Sequence, residues 1–168
     1  MSPSLPVVLA FAASDPTGGA GMQADLLTLA SLGCHPLSAL TGLTVQDTRG
    51  VASLHAIEPA LVELQARRVL EDIPVAAFKL GVLGSAGNAR VIAAILAEHP
   101  RVPVVLDPVL ASGRGDALAD AASLDALRGA LLPCATVLTP NSLEARRLAG
   151  AAPDADLPEC ARTLVNLG

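Results

Sequence analysis

Aromatic and basic residues are both scarce in this sequence of 168 residues. Two phenylalanines are its only aromatic side chains, and its 11 Lys and Arg are outnumbered by 16 Asp and Glu, which gives a net charge of −5. Proteins that bind nucleic acid need a basic track and, for single strands, aromatic platforms for the bases. We therefore expect no nucleic-acid partner.

Cysteines are few, and the apolar runs are interrupted. Cys34, Cys134 and Cys160 are odd in number and widely spaced, which fits neither a disulfide framework nor a zinc site. The uncharged stretch between Asp25 and Asp47 contains glycine and proline, so it predicts a helix, a turn and a buried strand rather than a membrane span. No basic residue precedes the first apolar run, so no export signal is indicated, and we expect a cytoplasmic protein with no membrane partner.

Short apolar runs alternate with longer amphipathic patterns along the chain. Strands are predicted over residues 7–12, 37–45, 76–80, 104–106 and 136–138, and helices over 21–32, 58–71, 86–98, 123–131, from 141 or 142, and 158–167. Apolar strands separated by helices predict an α/β fold with a parallel sheet between helical layers. In the helix that begins at Glu58-Pro59 and ends before Asp72, Leu61, Leu64 and Val69 are expected to face the core, and Arg67 and Arg68 to face water.

Polar residues follow the predicted strands at their carboxyl ends, where ligands bind in open α/β sheets. These positions are Asp15 with the glycine loop, residues 46–48, residues 79–81, Asp107 and residues 140–144. Residues 19–24 also fit the loose dinucleotide fingerprint G-x-G-x-x-A, but that fingerprint should follow its strand directly, and Asp15-Pro16 intervenes. The dinucleotide interpretation is therefore disfavoured.

Several of these residues also admit purely local roles. Asp25 is an acid near a helix N-terminus, where the dipole favours it, and Gln46 suits a turn. Asn141 followed by Glu144 has the spacing of a helix capping box. Lys79 can be structural or directed at a phosphate.

The run from Ser14 to Leu26 closely resembles the opening motif of the hydroxymethylpyrimidine/phosphomethylpyrimidine kinases of thiamine biosynthesis, in the ribokinase-like superfamily. Further matches are residues 46–50, 79–83, 105–109 and 138–145, so the resemblance covers nearly the whole sequence. It implies a three-layer α/β/α ribokinase-like fold with a mostly parallel sheet, incomplete at the C-terminus, in which residues 1–168 are the N-terminal portion of a single kinase domain.

The resemblance implies ATP- and Mg²⁺-dependent phosphorylation of 4-amino-5-hydroxymethyl-2-methylpyrimidine and of its monophosphate, by a homodimer. Asp25 and Gln46 would hydrogen-bond the aminopyrimidine, and Ala13, Val82 and Val109 would line its pocket. Ala13 stands where the family usually has glycine, and Asp47 where asparagine is common, so the pocket can be narrower or its specificity altered.

On the nucleotide side, the resemblance places Asp107 near the phosphates and magnesium. Asn141 would approach the phosphates, and Glu144 would position magnesium largely through water. The family's Lys-Gly-Gly-His segment and its anion-hole motif, which carries the catalytic base position, have no counterpart before Gly168. No catalytic residue is therefore assigned.

Truncation of a complete kinase is the expected explanation of these missing motifs. The alternatives are a non-catalytic pyrimidine-binding module, if the chain ends at Gly168, and a pyridoxal kinase of the same superfamily. The sequence Gln23-Ala24-Asp25 favours the pyrimidine over pyridoxal.

Overall fold

The computed structural model describes residues 5–112, 115 and 118–168, and within these ranges six strands form one sheet. The strands are β1 (Val7–Ser14), β2 (His35–Asp47), β3 (Gly50–Ala56), β4 (Ala77–Leu80), β5 (Val104–Leu106) and β6 (Val137–Leu138). Their order is β3-β2-β1-β4-β5-β6, and every neighbouring pair is parallel except β2 with β3. The predicted, mostly parallel sheet is thus confirmed.

Six α-helices connect or follow the strands within the described ranges. They are α1 (Gly21–Ser31), α2 (Pro59–Leu70), α3 (Ala86–Glu98), α4 (Ala121–Ala126), α5 (Ser142–Ala149) and α6 (Leu157–Val165). None of these helices combines the length and the apolar character needed to cross a membrane.

The two faces of β1 explain the layers. Leu9 and Phe11 point into the larger core, to which α2 to α6 contribute, whereas Ala10 and Ala12 pack against Met22 of α1 on the opposite face. Because both faces are covered, the strand is buried along nearly its whole length. The expected three-layer α/β/α arrangement is confirmed.

The β2–β3 hairpin is an element that the sequence patterns missed. β2 runs past its expected end to Asp47, and the chain then returns antiparallel as β3. The turn is stabilised because Asp47 Oδ1 accepts hydrogen bonds from the backbone N–H groups of Arg49 (2.8 Å) and Gly50 (3.2 Å). β3 lies at the sheet edge with no fully buried residue, so it lacks the continuous apolar signal of the inner strands.

The expected orientation of α2 was wrong. Leu61 and Leu64 are 52% and 64% exposed, whereas Val62 and Ala66, four residues apart, are fully buried. Apolar residues occur on more than one side of this helix, so its sequence alone did not determine which side packs inward. Small side chains on the buried side allow close approach to the neighbouring elements.

The two arginines of α2 also differ in their surroundings. Arg68 is exposed as expected, but Arg67 lies between two carboxylates and bonds to Glu63 within α2 and to Glu98 of α3, each at 2.7 Å. This ion pair links the exposed sides of two adjacent helices. Since the groups are partly solvated, its contribution to stability is small.

The helix predicted over 123–131 begins earlier and changes form. Asp120 caps α4 by accepting a hydrogen bond from the Ser123 N–H at 2.8 Å. The backbone then widens into a π-helical turn over Leu127–Leu131 and tightens into a 3₁₀ turn over Leu132–Cys134. Leu127, Leu131 and Leu132 remain buried through these changes of helix form.

Candidate active site

The glycine loop between β1 and α1 folds around the buried carboxylate of Asp15. This carboxylate accepts hydrogen bonds from the Thr17 N–H (2.8 Å), the Thr17 hydroxyl (2.9 Å) and the Ala20 N–H (2.9 Å). Burial acts to raise the pKa of Asp15, but the hydrogen bonds from Thr17, Gln46 and Ala20 outweigh it and lower the pKa below its usual value. Asp15 therefore organises the loop as an anion.

Two further residues fix this loop against the end of β1. Gly21 has φ +59°, and a Cβ at this position would lie 2.5 Å from the carbonyl oxygen of Ala13, so a larger residue would be strained. The Gln23 side chain accepts from the Asp15 N–H and donates to Ser14 Oγ, both at 2.8 Å. Gln23 therefore supports the loop, and it is not among the described residues that line the pocket.

A pocket of about 500 Å³ opens at the carboxyl ends of β1, β2, β4 and β5. Six of the residues predicted from the sequence line it, namely Ala13, Asp25, Gln46, Val82, Asp107 and Val109. These residues come from well-separated parts of the chain, and the parallel strands bring them to one sheet edge. The size is typical of a small-molecule site.

Lys79 lies between the two sides of this pocket. Its Nζ is 2.9 Å from Asp25 Oδ2 and 3.8 Å from Asp107 Oδ2. Gly81 leaves room for the ammonium group, since a Cβ there would approach Nζ to 3.0 Å. The sequence left the role of Lys79 open, and the structure places it in the pocket as the partner of two carboxylates.

Asp107 is a half-buried acid in a negative environment. Burial raises the pKa of Asp107 above its usual value, the positive charge of Lys79 opposes this, and the charges of Glu144 and Asp25 raise it further. Binding of a cation nearby would stabilise the ionised form of this acid. The surroundings of Asp107 therefore suit a bound metal ion or the cationic part of a ligand.

Comparison with known proteins identifies this arrangement. The model of the family described as phosphomethylpyrimidine kinase matches residues 15–168. The chain belongs to the phosphomethylpyrimidine kinase family. A hydroxymethylpyrimidine/phosphomethylpyrimidine kinase of Mycobacterium tuberculosis is 48% identical over 147 residues, which cover 85% of this chain. The chain spans about half the length of that relative, 52%.

Solved structures agree with this assignment. A phosphomethylpyrimidine kinase from Clostridium difficile superposes with a TM-score of 0.86 at 31% identity, covering 98% of this chain and 72% of the other. The pyridoxal kinase of Staphylococcus aureus, in complex with AMP-PCP and pyridoxal, superposes with a TM-score of 0.86 at 29% identity, covering 99% and 60%. The expected family and fold are thus confirmed.

In this member of the family, Asn141 and Glu144 stand apart from the described residues that line the pocket. They form the predicted capping box of α5, in which Asn141 Oδ1 accepts from the Glu144 N–H (3.0 Å) and Glu144 Oε2 accepts from the Asn141 N–H (2.9 Å). Glu144 Oε1 also accepts from the Leu110 N–H at 3.3 Å. The local role is confirmed, and the roles toward phosphate and magnesium stay predictions.

A buried polar pair that the sequence did not indicate fixes the wall of the pocket. Thr41 Oγ1 donates to the Val82 carbonyl (2.5 Å), and Asn88 Nδ2 donates to the carbonyls of Thr41 (3.0 Å) and Leu83 (2.8 Å). Thr41 and Asn88 are both fully buried. The sequence signal from which this contact could have been found is an asparagine among the apolar residues of α3.

The two departures from the family pattern have different surroundings. Asp47 pairs with Arg49, whose guanidinium donates to Asp47 Oδ2 at 2.7 and 3.0 Å, so the extra carboxylate has a nearby counter-charge. Ala13 has a buried methyl group next to Gly42, where a Cβ would lie 3.5 Å away. Ala13 therefore adds bulk to the pocket wall while Asp47 shapes the hairpin turn.

Proposed function

We propose that the protein carrying this chain transfers the γ-phosphoryl group of ATP to 4-amino-5-hydroxymethyl-2-methylpyrimidine, and then to the monophosphate that results. Membership of the kinase family supports the reaction class, and an ATP analogue is present in one structurally similar kinase. The contacts of Asp25 support the substrate.

The main support for this substrate is the hydrogen bonding of the Asp25 carboxylate. Its side chain is 16% exposed, and Oδ2 is held by Lys79 at 2.9 Å, while the described residues offer no hydrogen-bond donor to Oδ1. A carboxylate accepts hydrogen bonds and donates none. An exocyclic amine on the ligand would supply the missing donor, and the Gln46 amide can pair with a ring nitrogen.

The pyridoxal alternative is favoured by one finding, the likeness to pyridoxal kinase. Pyridoxal carries a ring hydroxyl and an aldehyde in place of an amine. The ring hydroxyl of pyridoxal can donate one hydrogen bond to Asp25, whereas an exocyclic amine offers two N–H donors. We therefore place the aminopyrimidine first.

In the first step, the hydroxymethyl oxygen attacks the γ-phosphorus and loses its proton to water, the bond from that phosphorus to the bridging oxygen breaks, and ADP leaves. Asp25 and Gln46 would orient the ring, while Val82 and Val109 would cover its faces and exclude water. Asn141 Oδ1 is engaged in the helix cap, so its amide N–H₂ is the part of this side chain that can meet a phosphate oxygen.

Magnesium is proposed at Asp107 with Glu144. Among the described residues, no three His, Cys, Asp or Glu side chains lie close enough to hold a metal by themselves. Mg²⁺ nevertheless fits this site, because it is usually bound through one or two carboxylates, several waters and the phosphates of the substrate. When bound, it would neutralise charge on the β- and γ-phosphates.

The decisive assay incubates the complete protein with ATP, Mg²⁺ and the hydroxymethylpyrimidine, and follows the monophosphate and diphosphate by mass spectrometry. A parallel reaction offers pyridoxal as the acceptor. Formation of pyrimidine phosphates with a higher kcat/KM than pyridoxal supports the proposal. Absence of both pyrimidine products, or a preference for pyridoxal, would contradict it.

An Asp25→Asn variant tests the carrying observation. We expect kcat/KM for the pyrimidine to fall about 10- to 100-fold, the scale of losing a charged hydrogen bond. Asp154→Asn is the matched control, because Asp154 is exposed and loses the same charge away from the pocket. If the two variants had equal kcat/KM, Asp25 would not bind the substrate.

A further inference from the structure

Positive charge is limited inside this pocket. Among the described residues that line it, the cationic side chains are Arg49 and Lys79, and the carboxylates are Asp15, Asp25, Asp47 and Asp107. Arg49 is 83% exposed and forms two side-chain hydrogen bonds to Asp47. Among the described residues, Lys79 is therefore the cationic side chain that lies in the pocket interior.

Lys79 is placed to serve both the acceptor side and the phosphate side. Its ammonium group has three N–H donors, of which one bonds to Asp25 at 2.9 Å; Asp107 at 3.8 Å is close enough for charge attraction but too far for a hydrogen bond. Its side chain is 21% exposed, and the pocket is open to it over Gly81. A ligand can therefore reach the ammonium group without displacing it from Asp25.

The two proposed acceptors differ in charge where they meet ATP. The alcohol of the first step is neutral and gives up a proton as its oxygen bonds to the γ-phosphorus. The monophosphate of the second step carries about −1.5 to −2 charges near pH 7, and one of its oxygens attacks with ADP again as the leaving group. This second step brings two anions together in a pocket that is already rich in carboxylates.

We infer that Lys79 is a specificity-determining residue whose positive charge, held between Asp25 and Asp107, permits the phosphate-accepting step. The inference rests on the proposed function and extends it to the choice of acceptor. Loss of the charge should impair both steps, because Asp25 loses its partner. It should impair the second step more, because there the acceptor itself is an anion.

The test measures kcat/KM of the complete protein for the alcohol and for the monophosphate, in the wild type and in Lys79→Gln and Lys79→Arg. For Lys79→Gln we expect a fall on the order of tenfold for the alcohol and a further tenfold for the monophosphate, the scale of losing one charged contact each time. Lys79→Arg keeps the charge, so its ratio of the two values should stay within about threefold of the wild type.

Arg68→Gln is the matched control, because it removes one positive charge from an exposed site outside the pocket. Both kcat/KM values come from the same preparation, so their ratio holds even if a variant is partly unfolded. An equal fall for both acceptors in Lys79→Gln, or no fall, would overturn the inference and leave the proposed function standing. A wild-type protein that phosphorylates neither acceptor would instead refute the proposed function itself.

Discussion

Replacement of Asp15 by alanine tests whether the glycine loop depends on one buried anion. The change removes the acceptor of three hydrogen bonds, from the Thr17 N–H, the Thr17 hydroxyl and the Ala20 N–H, all between 2.8 and 2.9 Å. Thr17 and Ala20 are themselves exposed, so water can satisfy part of what is lost. The loop should loosen without the domain unfolding.

The magnitude follows from these contacts. Each net hydrogen bond contributes about 0.5–1.5 kcal/mol, so loss of three should lower the free energy of unfolding by about 1.5–4.5 kcal/mol. Asp15→Asn retains one acceptor oxygen for the Thr17 N–H but presents a donor to the other groups, so about half of that loss is expected. The KM for the pyrimidine should rise as well, because the loop forms one wall of the pocket.

Urea denaturation of the complete protein, combined with steady-state kinetics, measures both effects. Asp154→Ala serves as the control, since this exposed residue should change the free energy of unfolding by no more than about 0.5 kcal/mol. If the free energy of unfolding of Asp15→Ala differs from that of the wild type by no more than about 0.5 kcal/mol and its KM is unchanged, the buried carboxylate does not organise the loop.

Three further predictions concern the same region. Because the pKa of Asp15 is lowered on folding, its ionised form stabilises the fold at pH values above its ordinary pKa of 3.8, and this stabilisation is lost as the pH falls through the lower pKa of the folded state. In urea denaturation at a series of acidic pH values, the free energy of unfolding of Asp15→Asn should therefore depend less on pH than that of the wild type. Gly21→Ala, which places a Cβ 2.5 Å from the Ala13 carbonyl, should cost about 2–4 kcal/mol in urea, whereas Gly129→Ala, with no atom within 4 Å, should be neutral or stabilising. Asn141→Ala should lower the free energy of unfolding by about 1 kcal/mol, because the helix cap is lost, and should raise the KM for ATP. An unchanged KM would show that Asn141 only caps the helix.

Much of the fold could be read from local patterns. The run over 7–12 contains apolar residues at every position, and such a strand is stable only with helices on both faces, as β1 has. The predicted bounds of α3 and β5 coincide with those observed. In each of these elements, the residue types and their spacing agree with the final packing.

The errors arose where neighbours, and not local pattern, decide the outcome. α2 has leucines on one side and Val62 with Ala66 on another, and the fit against adjacent elements selected the side with smaller residues. β3 is an edge strand whose pairing depends on the Asp47 turn, so it has little periodicity of its own. Such choices depend on shape complementarity between distant segments.

The sequence alone indicated the family and six of the residues that line the pocket at the sheet edge. Motifs at successive strand ends are local, and a parallel sheet brings them together whatever the details of packing. The packing of the chain placed Lys79 between Asp25 and Asp107, and Asn88 against the carbonyls of Thr41 and Leu83. These contacts join residues 5 to 54 positions apart, and their distances depend on how strands and helices pack, which no local pattern records.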